Sequence, residues 1–301
     1  MNKPKVSIVV IAYNMGRELP RTLLTLRAPY QKYIENSDIE IIVVDNGSKQ
    51  PTVLDNDWNN VKYLNFPNPT HSPVEAVNYG LSKANASLIG VMIDGARMAS
   101  PNLLNYAILA SNISNNCVIS TMAYHLGSEV QMESVPKGYN QQAENLLLDS
   151  VPWQDDGYCL FDISVFAGSS KPGWFNPIGE SNAIFTSREL WHKLGGFDPK
   201  FKTAGGGLAN LDVYLRAAEL KDSLLVSLIG EGTFHQVHGG VATNPIDQQT
   251  IGKNSKIFRK EYQDIRGKEF KCTKKSALLF GKVRHKHKRF LLESMGKLAE
   301  G

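Results

Sequence analysis

The chain has 301 residues, enough for one large α/β domain or two ordinary ones and for a sizeable core. With 42% hydrophobic residues, 21% charged residues, 25 Gly and 14 Pro, it is neither disordered nor collagenous nor mucin-like. The net charge of +4 hides an asymmetry, because residues 253–301 carry 15 Lys and Arg against 5 Asp and Glu, leaving a mildly acidic body.

In chain order, the run Val6 to Ala12 is continuously apolar and β-branched, as a strand buried on both faces requires. Arg17 to Arg27 spaces its leucines for a helix, and Ile39 to Val44 is a second strand that closes on Asp45, Asn46, Gly47 and Ser48. A weaker strand at Val61 to Phe66, a helix over Pro73 to Asn85 and a strand at Leu88 to Ile93 lead to Asp94 and Gly95. Such alternation predicts a mostly parallel sheet with crossover helices, and ligands of open α/β sheets bind at the carboxyl ends of the strands, where Asp45 and Asp94 fall. A helix over 101–116 and a strand from Val118 to Tyr124 follow. Residues 127–180 show no period and read as a long loop region. After it come a strand (Asn182 to Phe185), helices over Ser187 to Leu194 and about Leu211 to Leu220, and an apolar run (Leu224 to Ile229) that enters a Gly- and His-bearing segment.

No apolar run reaches the ~18 to 20 residues that cross a bilayer, and no secretory leader is visible. Three widely spaced cysteines (Cys117, Cys159, Cys272) form neither a disulfide framework nor a CxxC metal site, so a reducing, cytoplasmic setting is expected.

Five ordered segments carry a resemblance: SIVVIAYN (7–14), VVDNGS (43–48), AVNYGLSKANASLIGVMIDGA (76–96), ESNAIFTSRELWHKLGGFDPKF (180–201) and LDVYLRAAE (211–219). In this order they resemble the family 2 nucleotide-sugar glycosyltransferases of the GT-A fold, over roughly residues 6–240. The resemblance implies a Rossmann-like α/β domain over 1–250, followed by a basic, helical extension over 251–301. It also implies transfer of a hexosyl or related group from a nucleoside diphosphate sugar to a hydroxyl of a glycan or glycolipid of the cell-surface polysaccharide type. Inversion is favoured over retention.

The site follows residue by residue. The resemblance places Ala12, Tyr13, Asn14 and Asp45 around the donor nucleoside, although an Asp before Asn-Gly is equally a turn former. Asp94 holds the family's D-x-D position, but Ala96 replaces the second carboxylate and Arg97 follows, a guanidinium able to carry phosphate charge. A divalent cation, Mn2+ or Mg2+, then needs further ligands, and the late histidines His235 and His238 offer one. A helical segment would set the two rings on one side and an extended one on opposite faces, so one is expected to reach Asp94, and His238, just before Gly239 and Gly240, is preferred. The base that accepts the acceptor proton falls to Asp212 or Glu180, since Asn210 stands where the family carries an acid. Asp212 is equally a helix cap. Trp174, Glu180 and Asn182 are placed on the acceptor side, Trp174 either stacking on a sugar or packing in the core. Gly205, Gly206 and Gly207 read as a mobile flap.

The missing acids keep a rival open, a GT-A relative that binds a nucleotide sugar or glycan without catalysis. A nucleotidyltransferase is disfavoured by the absence of a Gly-rich phosphate loop. The tail, with apolar residues flanking Gly281 to Arg289, fits a helix on an anionic membrane at the inner face of the plasma membrane, or a helix packed against the catalytic domain or a second subunit, and no nucleic-acid motif accompanies it.

Overall fold

The computed structural model describes residues 3–54, 58–177, 179, 182–240 and 248–299. The chain opens with β1 (Val6–Ala12), α1 (Glu18–Thr25), β2 (Ile39–Asp45), β3 (Val61–Asn65), α2 (Val74–Lys83) and β4 (Leu88–Met92). Next come β5 (Arg97–Ala99), α3 (Leu103–Ser111), β6 (Cys117–Leu126), α4 (Gln131–Ser134), α5 (Gln141–Asp149) and β7 (Ser164–Phe166). The remainder is β8 (Ile184–Ser187), α6 (Arg188–Leu194), α7 (Ala209–Glu219), β9 (Leu224–His235), α8 (Gln248–Arg266), β10 (Leu278–Gly281) and α9 (Lys288–Ala299).

One sheet runs β10-β9-β6-β8-β4-β1-β2-β3, with β5 added to β9 and β7 to β6. Along this path every neighbouring pair is parallel except those made by β8, which is antiparallel to β4 and β6. The carboxyl ends of β1, β2, β4, β6 and β9 therefore lie along one edge. Helices cover both faces, which is why β1 has no polar alternation apart from Ser7. Ile8 and Val10 join a core with Leu19 and Leu23 of α1 and Leu104 of α3, whereas Val9 and Ile11 join one with Val77 of α2 and Val213 of α7. Gly80 lets α2 approach closely, since a Cβ there would lie 2.4 Å from Val9 Cγ1.

Two regions depart from the sequence expectations. Residues 127–180 are not a long loop but hold α4, α5, β7 and several 3-10 turns, each too short for periodicity to register. β9 continues past Ile229 to His235 because β5 pairs with its last residues. The basic segment after residue 250 is helical, as expected, over α8 and α9, and it is also packed into the domain. Its β10 pairs with β9 at one end of the sheet, α9 buries Phe290 and Ser294, and Arg289 donates to the carbonyls of Phe161 and Ser164. Among the described residues no helix is long and apolar enough to cross a membrane.

Candidate active site

At the sheet's carboxyl edge the loops after β1 and β2 are stitched together. Asn14 adopts a left-handed φ of +52°, donates its backbone N–H to Ser48 Oγ at 2.7 Å, and accepts from the Lys49 N–H at 2.9 Å. Ala12 is buried and accepts from the Asn46 N–H, while Tyr13 is half-exposed above the seam. Asp45 is buried, with Oδ1 accepting from the Ser48 N–H at 2.7 Å and Oδ2 from the Tyr63 hydroxyl. One oxygen thus holds the loop after β2 and the other meets Tyr63 of β3, a geometry that fits a turn former.

Asp94 lies two residues beyond β4. Its neighbour Gly95 donates to the Ile11 carbonyl at 2.8 Å, and a Cβ on Gly95 would come within 2.7 Å of that same oxygen. Only glycine lets the chain cross β1 this closely, which places the Asp94 carboxylate over the strand ends. Asp94 Oδ1 accepts from the Ala96 N–H, and Oδ2 lies 2.9 Å from His235 Nε2. His238 Nε2 is 3.2 Å from His235 Nε2 and 3.5 Å from Asp94 Oδ1. Both histidines meet Asp94, not one. The strand ends at His235, and the chain then bends back at Gly239 (φ +82°), so strand alternation does not extend to His238. That bend is clamped at Val237, whose N–H donates to Glu144 of α5 at 2.9 Å and whose carbonyl accepts from Arg17 at 3.0 Å.

The cluster is electrostatically uneven. Burial disfavours ionisation of Asp94, but its basic surroundings, His238 foremost, outweigh it and hold the carboxyl well below its usual range. Burial pushes His235 down to about 4, against the pull of Asp94, so its ring is neutral at pH 7. Arg97 is 5% exposed, its Nε lies 3.6 Å from Asp94 Oδ2, and its Nε and Nη1 make no hydrogen bond among the described residues. A buried guanidinium with unmet donors is costly unless an anion reaches it.

The Asp94 carboxylate and two imidazole nitrogens, with neighbouring atoms 2.9 to 3.5 Å apart, fit a shared cation. Ligands about 2.1 Å from an octahedral ion stand about 3 Å apart. The mixed donor set favours a first-row ion such as Mn2+ over Mg2+, which prefers oxygen. An open cleft of about 550 Å³ lies beside His238, lined by Tyr139, Asn140, Gln141 and Val237.

The sequence profile described as Glycosyl transferase family 2 matches residues 7–167, more than half of the chain. The chain belongs to glycosyl transferase family 2. Solved structures agree in fold. A mannosyltransferase, PcManGT from Pyrobaculum calidifontis in complex with GDP-Man and Mn2+, aligns over 99% of this chain and 75% of its own at 14% identity, with a TM-score of 0.55. S. aureus TarS 1-349 in complex with UDP-GlcNAc aligns over 98% of this chain and 73% of its own at 12% identity, with a TM-score of 0.51. Comparison with curated proteins gives no match. The mostly parallel sheet with flanking helices is the GT-A architecture.

In this family 2 glycosyltransferase Asp212 and Trp174 lie apart from the cluster's chemistry. Asp212 is 1% exposed and is held by Arg216 Nε at 2.8 Å and by Arg266 Nε and Nη2 at 2.7 Å each. A carboxylate gripped by two guanidiniums is a structural ion pair, which corrects its expected role as base. Trp174 is 3% exposed, packs edge-on against Phe166 at 5.8 Å and receives Ser294 of α9 at its backbone N–H. It belongs to the core and presents no face to a sugar. Asn182 is 8% exposed. Glu180 lies outside the described residues. Gly205, Gly206 and Gly207 form a turn of positive φ hydrogen-bonded to His71. Arg17, Glu144 and Gln131, which hold the histidine bend, carry no motif and were not singled out by sequence.

Proposed function

We propose that this family 2 glycosyltransferase moves a sugar, with inversion, from a nucleoside diphosphate sugar to a hydroxyl of a glycan or glycolipid acceptor of the cell-surface polysaccharide type. The observation that carries this reading is the convergence of Asp94, His235 and His238 with the donor-rich, underpaired Arg97 at the carboxyl edge of the sheet. Such a site calls for a cation and an anion together, which is the chemistry of a metal-bound diphosphate. The ligands named for its structural neighbours, GDP-Man with Mn2+ and UDP-GlcNAc, support the donor class.

A divalent cation held by Asp94, His235 and His238 would neutralise charge on the departing diphosphate. Arg97 donates its unmet N–H groups to phosphate oxygens. Tyr13 and Asn14 line the nucleoside, on a loop that Asp45 keeps in shape through Ser48 and Tyr63. Glu180 takes the acceptor proton, and Asn182 serves the acceptor side. The cleft next to His238 receives the sugar being moved.

The C-terminal surface supports a peripheral position on an anionic membrane facing the cytoplasm, where a lipid-linked acceptor is presented. Leu292, Met295 and Leu298 of α9 are 59%, 53% and 53% exposed, and exposed Lys282 and Lys288 lie close in sequence. Each cation near such a surface contributes about 1 kcal/mol.

Thermal-shift measurements with UDP, GDP, CDP and dTDP, in Mn2+ or EDTA, test the donor site. A ligand at 100 times its Kd stabilises by about 2.7 kcal/mol. One nucleotide is expected to raise Tm in Mn2+ and to lose the effect in EDTA; no shift with any nucleotide overturns the reading. The missing acid at Ala96 and the amide at Asn210 favour a second reading, binding without transfer. Release of nucleoside diphosphate from the matched sugar nucleotide separates the two.

A further inference from the structure

Gln131 is fully buried at the first position of α4, and its side chain grips one residue twice. Nε2 donates to the His235 carbonyl at 2.9 Å, and Oε1 lies 2.5 Å from His235 Nδ1. The first bond fixes the orientation of the amide. An amide oxygen has no hydrogen to give, so the hydrogen between Oε1 and Nδ1 belongs to the imidazole. A neutral His235 with its hydrogen on Nδ1 presents a bare lone pair at Nε2. That is the atom 2.9 Å from Asp94 Oδ2 and 3.2 Å from His238 Nε2.

Gln131 is itself held from the neighbouring strand. Its backbone N–H donates to His125 Nδ1 at 2.8 Å, and His125 stands opposite His235 in the ladder of β6 and β9, the two rings 5.5 Å apart. All three residues are buried, so water does not compete for these bonds.

We propose that Gln131 is a positioning residue that locks His235 in its Nδ1–H tautomer and thereby makes Nε2 a cation ligand. The proposal rests on the reading of Asp94, His235 and His238 as a cation site. With the hydrogen on Nδ1, no hydrogen lies between Nε2 and the Asp94 oxygen, and two lone pairs face each other. A cation placed among them turns that repulsion into shared attraction. Without the Gln131 acceptor the ring is free to carry its hydrogen on Nε2, donate to Asp94 and cease to be a ligand. Partners of this kind, one step removed from a metal, typically change its affinity by about 10- to 100-fold.

The test uses the full chain labelled with ¹⁵N-histidine, the His235 signals being assigned against His235→Asn. In metal-free wild type, long-range ¹H–¹⁵N spectra are expected to show the hydrogen of His235 on Nδ1. Finding it on Nε2 overturns the proposal without recourse to any Gln131 variant. Mn2+ binding is then titrated by electron paramagnetic resonance. Gln131→Met is expected to bind Mn2+ about 10- to 100-fold more weakly, while Gln131→Glu, which keeps an acceptor at Nδ1, restores the tautomer and most of the affinity. Equal Mn2+ affinity in a folded Gln131→Met protein and wild type overturns the proposal. A wild type that binds no Mn2+ yet keeps the Nδ1–H tautomer overturns the cation site instead, and with it the ligand role of His235.

Discussion

Asp94 and Asp212 are both enclosed aspartates with basic residues around them, and the difference between their partners separates a reactive site from a structural one. Asp212 faces Arg216 and Arg266, guanidiniums that stay charged at any ordinary pH and grip both its oxygens. Its charge is cancelled within the fold. Asp94 faces His235, which burial keeps neutral at pH 7, Arg97 only at 3.6 Å, and His238 at 3.5 Å, an imidazole that can give up its proton to a competing cation, so its charge stays open to exchange with one from outside. Burial alone does not mark a functional carboxylate; the protonation habits of its neighbours do.

The largest expected effect breaks the comparison at its active end. Asp94→Ala is expected to lower kcat by more than about 10³-fold, the scale of losing a main electrostatic contributor, and to lose Mn2+ in equilibrium dialysis while still folding. Asp212→Asn breaks it at the other end. Removing the buried charge shared by Arg216 and Arg266, half-buried guanidiniums that keep the Leu194 and Gly196 carbonyls and Asp198 as partners, should cost about 1.5 to 3 kcal/mol in urea unfolding, with the Mn2+ dissociation constant unchanged within about twofold. An Asp212→Asn protein of wild-type stability that has lost turnover would return Asp212 to catalysis.

Smaller effects sharpen the contrast. Arg97→Gln should weaken donor nucleotide binding by about 10- to 100-fold, the range of a charged hydrogen bond, measured by calorimetry in the presence of Mn2+. Glu231 supplies a third kind of buried acid. It is hydrogen-bonded by the neutral donors Ser100, Asn102 and Tyr158, and burial raises its pKa to about 7. A carboxyl raised in the folded state stabilises fully below its unfolded pKa, and that contribution drains away as pH rises towards 7. Glu231→Gln lacks this dependence, so its stability relative to wild type should rise by about 1 to 3 kcal/mol between pH 5 and pH 8. A constant difference across that range would show that Glu231 does not titrate there.

Much of the sheet was legible because buried parallel strands write themselves as β-branched runs. Val6 to Ala12 was found to the residue, and Leu88 to Ile93 to within one. Asp94 was legible as an acid at a strand's carboxyl end. The three-residue β5 was not, nor was β10, because LLFG between charged stretches looks like any short apolar patch. The pairing of His235 with His238 was missed for a related reason. Period-2 alternation holds only while the strand lasts, and the strand ends between them. Trp174 and Asp212 were weighed as core and cap as well as site residues, and three-dimensional burial decided for structure. Gln131 had no sequence signal, since a single glutamine in an aperiodic stretch acquires meaning only from the strand it meets.

The pairing of β10 with β9 also has a consequence for how the molecule is made. β9 contributes His235 to the active site, yet one of its edges is covered by residues 278–281, synthesised more than forty positions later. Until those residues are made, Val226 to Ile229 of β9 have open backbone donors and acceptors along that side, beyond the stretch from Thr233 to His235 that β5 already covers. Such an edge can recruit other chains. Charged residues flanking an apolar strand oppose such pairing, and Lys274, Lys275 and Lys282 flank the strand that arrives late.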